Sequence, residues 1–363
     1  MTRFGIEEEF VLLDEETLVP VPLGSDAIDA LTGGTGTFPP GSTGTLKTEF
    51  LTSQVEFSSS AVHTLAEAEK QLRPCRSALS EFARRHGAVA GGMGTPYGIG
   101  PASSVTHSDR YGEIARWLGL ISDTHHVNGV HVHVEIPDVE ERIRALNAVR
   151  AWLPVLLVLS ANSPFADARD TGHASWRSII MRRLPLFGSP PHFADVDHYH
   201  ATVDRLVDAH VIPDVASVAW AARVSARYPT VELRVFDAQL STDDTLLLAA
   251  VGRALAVTPG RGDRVHDSDV IQTSLWSAAR WGMDATLMHP VSGDPIPARS
   301  AIGLLLQAIA PALEESGDLA FVKEQFARIL REGNGAQRQR AAHHHTGIAG
   351  LRALVSAPQP AAA

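Results

Sequence analysis

Cysteine is almost absent from this chain of 363 residues, in which Cys75 is the only one. A disulfide within the chain and a zinc site made of several thiolates are therefore excluded. A single cysteine is typical of proteins from a reducing compartment, so we expect a cytoplasmic location.

Long apolar runs and a basic charge balance are also missing. The longest apolar run, 151–159, contains Pro154 and is much shorter than the ~20 residues that span a membrane. The N-terminus, MTRFGIEEEF, has acidic residues where a secretion signal needs an apolar stretch. The net charge of −10 argues against binding to nucleic acid or to an anionic membrane. It still allows an anionic substrate, because bound cations can invert the charge of an acidic site.

The spacing of the apolar residues predicts both helices and strands. Apolar residues three and four positions apart predict helices at 63–86, with Pro74 as a kink or break, at 138–160 and after Ser241, with weaker patterns at 298–313 and 319–330. Alternating apolar and polar residues predict strands at 4–13, within 46–58, at 129–137 and at 229–237. Turn-rich connections, which at this length are usually functional, lie at 24–44, 91–101 and 163–193.

Three of the predicted strands carry ionisable residues on one face only. The apolar face of the first strand carries Phe4, Ile6, Phe10 and Leu12. The opposite faces of the three strands carry Glu7, Glu9, His131, His133, Glu135, Glu232 and Arg234. Such faces are either the solvated side of an antiparallel sheet or the lining of a site. A solvated face usually mixes lysine and threonine with glutamate, and neither type occurs between these residues, which favours a site.

Two further glutamates, Glu49 and Glu56, would extend this site. They are seven residues apart and therefore have opposite parity along a strand, which predicts a bulge or bend between them. Together with Glu7, Glu9 and Glu232 these two make five converging carboxylates, and such a cluster implies raised pKa values or bound cations. Oxygen ligands select magnesium or manganese and tolerate an additional imidazole.

Magnesium held by carboxylates keeps open positions for phosphate oxygens. Arg234, two residues after Glu232, suits the negative charge of a transferring phosphoryl group. The set therefore predicts nucleotide-dependent chemistry. It does so without a phosphate-binding loop, because the pattern G-x-x-x-x-G-K-[ST] is absent and GGMGTP at 91–96 lacks its lysine.

Six segments in one order along the chain form a larger pattern. They are FGIEEEF at 4–10, SQVEF at 53–57, GVHVHV at 129–134, SANSPF with RDTGHASWRS within 160–178, SARYPTVELRVFD at 225–237 and GNGAQRQR at 333–340. Together they resemble the type 2 glutamate–cysteine ligases, a family that includes the YbdK-like carboxylate–amine ligases. Each segment alone is weak, but the ordered set covers nearly the whole chain.

The resemblance implies an α+β fold like the catalytic domain of glutamine synthetase, in which a curved antiparallel sheet forms a half-barrel funnel with helices packed outside. It also implies a reaction in which ATP phosphorylates a carboxylate, typically the γ-carboxyl of glutamate, and an amine such as cysteine attacks the acyl phosphate. We expect one domain at 1–355, a disordered tail at 356–363, and association into a homo-oligomer through a surface that the sequence does not identify.

Site roles follow from the same resemblance, residue by residue. The metal ligands would be Glu7, Glu9, Glu49, Glu56, His131 and Glu232. Arg234 would stabilise the phosphoryl group, and Arg177 would bind phosphate or a substrate carboxylate unless it is a loop arginine paired with Asp170. His133 and Glu135 are not part of this set, and we expect them to face the substrate because they share the polar strand face with His131.

The chain departs from the family pattern at three places. Glu135 stands where glycine is usual, Pro96 follows Thr95 where a histidine is usual, and Ala221 stands where aspartate is frequent. We expect these changes to line the pocket and to affect the substrate, and they leave open an inactive member that acts as a binding protein. A zinc hydrolase is a further alternative, because His131-Val132-His133 resembles the H-x-H of amidohydrolases, although those enzymes usually alternate strands and helices.

Overall fold

An antiparallel sheet forms the centre of the structure. The structure is a computed structural model that describes residues 1–39, 43–100, 104–258 and 267–356. The strands are β1 (Phe4–Asp14), β2 (Thr45–Thr48), β3 (Gln54–Ser58), β4 (Ala88–Gly91), β5 (Gly129–Glu135), β6 (Phe165–Ala166), β7 (Arg169–Asp170), β8 (Ala222–Val224), β9 (Thr230–Asp237), β10 (Thr286–Met288) and β11 (Pro295–Pro297). The main sheet has the order β2-β3-β1-β5-β9-β8, and β4 pairs with the C-terminal part of β1. Every pairing within it is antiparallel, and β2 and β8 are its edges, so the sheet is not closed.

Helices cover one face of this sheet and leave the other face to a cavity. They are α1 (Gly24–Thr32), α2 (Leu65–Arg85), α3 (Asp109–Leu118), α4 (Val139–Arg150), α5 (Leu153–Ser160), α6 (Trp176–Met181), α7 (Val196–Asp208), α8 (Thr242–Val257), α9 (Ser268–Trp281), α10 (Ala298–Ser316), α11 (Leu319–Glu332), α12 (Gly335–Thr346) and α13 (Ile348–Val355). Both α2 and α8 pack against the sheet, and a continuous apolar core extends from Phe4 to Ile329. The predicted α+β fold, with helices outside a curved antiparallel sheet, is confirmed.

Three predictions about helices need correction. The helix expected at 138–160 is two helices, α4 and α5, which meet at 66° near Pro154. Of the kink or break predicted at Pro74, the break is wrong, because α2 continues through Pro74 from Leu65 to Arg85. The connection expected at 24–44 contains α1.

The predicted helix after Ser241 is confirmed as α8. The Ser241 hydroxyl accepts a hydrogen bond from the Asp244 backbone N–H at 3.2 Å and so caps the helix.

In the described part of the chain, no helix by itself has both the length and the apolar character needed to cross a membrane. Only α4 and α5 taken together reach these criteria, and they are bent against each other. Of the tail predicted at 356–363, residues 357–363 lie outside the described residues.

The bend predicted between Glu49 and Glu56 is confirmed, with a bend at Phe50 and a turn at Thr52 and Ser53. Glu49 follows the end of β2, and a loop separates it from β3, so no bulge joins Glu49 to Glu56. The register instead shifts in the pairing of β5 with β9, between Val130 and Val132. This irregularity adds one residue to β9 next to Arg234, and bulges of this kind commonly redirect a side chain.

Candidate active site

All ten residues predicted for the site line one cavity of about 1180 Å³ on the helix-free face of the sheet. They are Glu7, Glu9, Glu49, Glu56, His131, His133, Glu135, Arg177, Glu232 and Arg234. The solvated-face interpretation is wrong for this sheet, because Glu232 is 1% exposed and His131 is 5% exposed. Ionisable groups this deep need partners, and the sheet supplies many of them.

Strand pairing arranges these residues in rows across the sheet. In one row Lys47 of β2 is opposite Glu56 of β3, which is opposite Glu9 of β1. In the next, Glu7 of β1 is opposite His131 of β5.

The third row joins His133 of β5, Glu232 of β9 and Arg223 of β8. Directly opposite residues on one face are close enough to interact, so the register itself builds the polar contacts of the site.

Glu232 is the most strongly paired carboxylate of the site. Its Oε2 accepts a hydrogen bond of 2.8 Å from Arg223 Nε, and its Oε1 accepts one from Arg234 Nη1. Burial raises the pKa of Glu232, but the charges of Arg234 and Arg223 outweigh burial and hold this pKa well below its ordinary value. Glu232 is therefore ionised in the folded protein.

Glu7 links the two histidines of β5. Its Oε2 lies 3.0 Å from His131 Nδ1 and 3.7 Å from His133 Nε2. Burial raises the pKa of Glu7, but hydrogen bonds to both histidines outweigh it and leave the pKa well below the ordinary value. The His133 Nε2 atom is buried and has no hydrogen-bond partner among the described residues, although it faces Glu7 and, at 4.0 Å, Glu232.

The geometry around His133 fits a metal ion. One ligand atom each from Glu7, His133 and Glu232 lies within 4.8 Å of the others. Thr230 Oγ1 is 3.0 Å from His133 Nδ1, an arrangement that orients a ligating imidazole. His133, predicted to face the substrate, is thus the histidine of this three-residue group, whereas His131 has its Nδ1 3.0 Å from Glu7 Oε2 and its Nε2 3.8 Å from Glu9 Oε1.

The remaining carboxylates form a cluster in which repulsion is only partly compensated. Burial raises the pKa of Glu9, Glu49 and Glu56, and charge from neighbouring glutamates adds to each increase. Lys47 Nζ lies 2.9 Å from Glu56 Oε1 and opposes part of this effect. The prediction of raised pKa values is therefore confirmed for these three carboxylates. It is wrong for Glu7 and Glu232, because histidines and arginines lower their pKa values.

Arg177 approaches the site from α6 and is 3% exposed. Its Nη1 lies 3.9 Å from Oδ1 of Asp237, so the alternative pairing with Asp170 is wrong; Asp170 instead binds Arg340. Its Nε and Nη1 have no hydrogen-bond partner among the residues that the structure describes. A Cβ on Gly129 would lie 2.5 Å from Arg177 Nη2, so only glycine there leaves room for this guanidinium.

Asp237 fixes the segment that carries Arg177. This fully buried carboxylate accepts hydrogen bonds from the Asn162 backbone N–H and from the hydroxyls of Ser163 and Ser175, at 2.7–2.8 Å. Segments SANSPF and RDTGHASWRS thus meet the end of β9 behind the cavity. Their polar residues support the site and do not line it, apart from Arg177.

Two of the three departures from the family pattern lie outside the cavity lining. Pro96 is buried beside Thr95, whose hydroxyl donates to the Phe165 carbonyl oxygen, and Ala221 packs in the apolar core. The prediction that they line the pocket is therefore wrong, whereas Glu135 does line it. Its Oε1 lies 3.6 Å from Arg3 Nη1 at the rim.

Sequence reasoning missed three contributors to the site. Arg223 lies in a strand of three residues, which is too short to show alternation. Lys47 lies two residues before Glu49, so both would point to the same side of a strand, and this spacing could have placed Lys47 in the site. Tyr111 is on a helix remote in sequence, and its hydroxyl is within 3.4 Å of Glu49 Oε2.

The comparisons with known proteins agree with this fold. Residues 3–355 match the model of the glutamate-cysteine ligase family 2 (GCS2). A "Putative glutamate--cysteine ligase 2-2" of Saccharopolyspora erythraea is 38% identical over 93% of this chain and 87% of its own length. A "Putative glutamate--cysteine ligase 2" of Salinispora tropica is 37% identical over 94% of this chain and 90% of its own.

Two solved structures share the fold at low sequence identity. The glutamate–cysteine ligase of Francisella tularensis, solved in complex with AMP, has a TM-score of 0.74 at 13% identity and covers 98% of this chain and 88% of that one. A bifunctional glutathione synthetase of Pasteurella multocida has a TM-score of 0.71 at 16% identity and covers 98% and 52%.

The antiparallel funnel is lined with carboxylates, histidines and arginines, and the family model matches residues 3–355 of the chain. Together they define a ligase fold. The chain belongs to the glutamate–cysteine ligase family 2.

Proposed function

We propose that this protein is an ATP- and magnesium-dependent carboxylate–amine ligase that forms an amide bond, of the γ-glutamyl type, through an acyl phosphate. The observation that carries the proposal is one cavity on the sheet that collects five carboxylates, two histidines and two arginines of the predicted site, namely Glu7, Glu9, Glu49, Glu56, Glu232, His131, His133, Arg177 and Arg234. Glutamate is the proposed carboxylate and cysteine a candidate amine, as in the names of the relatives.

The donor set supports a divalent cation. Glu7, Glu232 and the unpartnered Nε2 of His133 would hold one ion, and the predicted ligands Glu9, Glu49, Glu56 and His131 adjoin it. Hard oxygen donors favour magnesium, with manganese as the alternative. When bound, the ion would neutralise charge on the phosphate groups of ATP.

The residues of the chain contribute mainly position and charge. Arg234 is held by Glu232 and faces His131 at 3.5 Å, so its guanidinium is oriented before substrate binds. Such preorganised charge is the main contribution a protein makes to phosphoryl transfer. Cys75 is 1% exposed on the core side of α2, and we therefore propose no covalent enzyme intermediate.

The proposal also covers the organisation of the chain. Residues 1–355 would act as one domain, because strands from residue 4 and helices up to residue 355 surround the same sheet. We also propose that the protein is cytoplasmic and associates with further copies of itself.

Replacing Glu232 or Glu9 by glutamine tests this function. Each change removes a charge from the cavity, and we expect loss of magnesium-dependent ADP release, by about 100-fold or more. Glu324→Gln, on an exposed position of α11, is the matched control and should keep full activity. Full activity in either E232Q or E9Q would exclude the mechanism.

Isothermal titration with ATP and magnesium separates the alternatives. A ligase binds the nucleotide and turns it over with an acid and an amine. An inactive binding member fails to turn over, and a zinc hydrolase does not bind the nucleotide. The antiparallel sheet already argues against the hydrolase, whose fold usually alternates strands and helices.

A further inference from the structure

Helix α3 directs its apolar side chains toward the cavity. The cavity lining includes Tyr111, Ile114, Trp117 and Leu118 of this helix, and no residue of α3 is fully buried. An amphipathic helix normally places its apolar stripe against the core. Here Trp117 contacts the apolar core, but the stripe also forms a roof over the end of the sheet where Glu9 and Glu49 lie.

Contacts on both sides hold this roof in place. On one side the ring of Tyr111 packs edge-on against Phe50, with centroids 5.9 Å apart. On the other, Arg110 Nη1 lies 3.0 Å from Asp214 Oδ2, next to the segment whose carbonyls bind Arg223. The roof therefore spans the cavity from the β2 side to the β8 side.

A second apolar wall meets the roof. Met181 and Leu184, at the end of α6 and just after it, line the same cavity, as does Val127 before β5. Arg183 joins this wall to the turn that follows α3, since its Nη1 donates to Thr124 Oγ1 at 2.6 Å and its Nη2 to the Thr124 carbonyl oxygen at 2.8 Å. The two walls form one structural unit, which we call the apolar chamber: Ile114, Trp117, Leu118, Val127, Met181 and Leu184.

The opposite end of the cavity has a different chemistry. It is lined by Arg3, Ser59, Ser60, Glu135 and Arg227, together with Ala61, Tyr228 and Pro229. Hydroxyl and guanidinium groups suit the ribose and phosphates of a nucleotide. The apolar chamber is therefore the part of the cavity left for the organic substrates.

We infer that the apolar chamber binds a bulky apolar group of one of the two organic substrates, either the amine or the carboxylic acid. This inference rests on the proposed ligase function and specifies its substrate class. Six apolar side chains offer more contact than the mercaptomethyl side chain of cysteine can use, and each methylene removed from water strengthens binding. A leucine- or phenylalanine-like amine is then preferred to cysteine, or an apolar acid to glutamate.

The test measures ATP turnover with magnesium in two substrate series. In one, glutamate is combined with alanine, cysteine, leucine and phenylalanine as amines. In the other, hydroxylamine is combined with acetate, butyrate, 4-phenylbutyrate and glutamate. We expect kcat/KM to rise about tenfold or more with apolar size in one series, as is usual for added methylenes in an apolar pocket.

Variants locate the effect within the cavity. Trp117→Ala and, independently, Ile114→Ala should remove most of that increase and leave the KM for ATP unchanged, and Trp117→Phe should restore much of it. Leu120→Ala is the matched control, because Leu120 is 83% exposed two residues after α3 and does not line the cavity.

Three outcomes would overturn the inference or the function beneath it, and they are distinguishable. Cysteine and glutamate as the best substrates, with no gain from apolar size, exclude the inference but support the ligase. A raised KM for ATP in W117A, with the organic substrates unaffected, assigns the chamber to the nucleotide base. If no pair is turned over, the ligase proposal fails. Calorimetry with leucine, phenylalanine and 4-phenylbutyrate, with and without W117A, then decides the inference: saturable heat lost in the variant supports it, and no heat excludes it.

Discussion

Neighbouring glutamates of β1 have opposite environments. Glu7 and Glu9 face the cavity, whereas Glu8 lies on the apolar face and is 1% exposed. There it accepts hydrogen bonds from Arg76, at 2.6 Å to Nη2 and 3.1 Å to Nε, and one from the Thr245 hydroxyl. The face described from sequence as apolar therefore contains a buried ion pair that joins β1 to α2 and α8.

We predict that Glu8→Gln lowers the free energy of unfolding by about 3 kcal/mol, because it leaves Arg76 buried without a counter-charge. Urea denaturation at neutral pH measures the change. Glu81→Gln, which breaks an exposed pair with Arg84, is the control and should have no measurable effect. An E8Q protein as stable as the unmodified one would show that the pair does not stabilise the fold.

At the level of secondary structure, helices beyond the sheet are joined through their charged residues. Asp244, in the first turn of α8, contacts Arg328 of α11 and, at 3.0 Å, Arg338 of α12. Burial raises the pKa of Asp244, but these two arginines outweigh it, so the pKa in the folded state is below 3.8. One carboxylate therefore connects three helices, α8, α11 and α12, from the C-terminal third of the chain.

The sign of the resulting pH dependence follows from that lowered pKa. Asp244 stabilises the fold above its unfolded pKa, near 3.8, and this contribution is lost as the pH falls through the folded pKa. We predict that Asp244→Asn lowers stability by about 3 kcal/mol at pH 7. The difference from the unmodified protein should disappear in acid, as measured by urea denaturation between about pH 7 and pH 2. A difference that stays constant over this range would contradict the assignment.

The length and composition of each element explain why some elements could be predicted from the sequence and others could not. Alternation identified β1, β5 and β9 because each is long enough to show several repeats of two residues. The short β8 shows too few repeats, and α1 lies in a segment rich in turn residues.

At the scale of the whole molecule, the apolar core encloses the only cysteine. Cys75 is 1% exposed in α2, and burial raises its thiol pKa well above 9.0. Its reactivity therefore reports how often the core opens.

We predict that iodoacetamide at pH 8 labels Cys75 in the native protein more than about 100-fold more slowly than in concentrated urea. Mass spectrometry of quenched samples measures both rates. ATP with magnesium should slow the native reaction further, since a ligand that binds the folded state alone reduces opening. Rapid labelling of the native protein would mean that α2 is not held against the sheet.

The sequence by itself determined which side chains share a strand face, because successive residues of a strand point to opposite sides whatever the strand pairs with. It thereby identified one set of residues that line the site: Glu7, Glu9, His131, His133, Glu232 and Arg234. The ordered motifs identified the family.

Only the tertiary structure decided which members meet. Register pairs His133 with Glu232 and Glu232 with Arg223, and the fold brings Arg177, Arg76 and the α3 roof from distant segments. Strand periodicity is local, whereas register and helix docking depend on packing between segments far apart in the chain, and no short stretch of sequence encodes that packing.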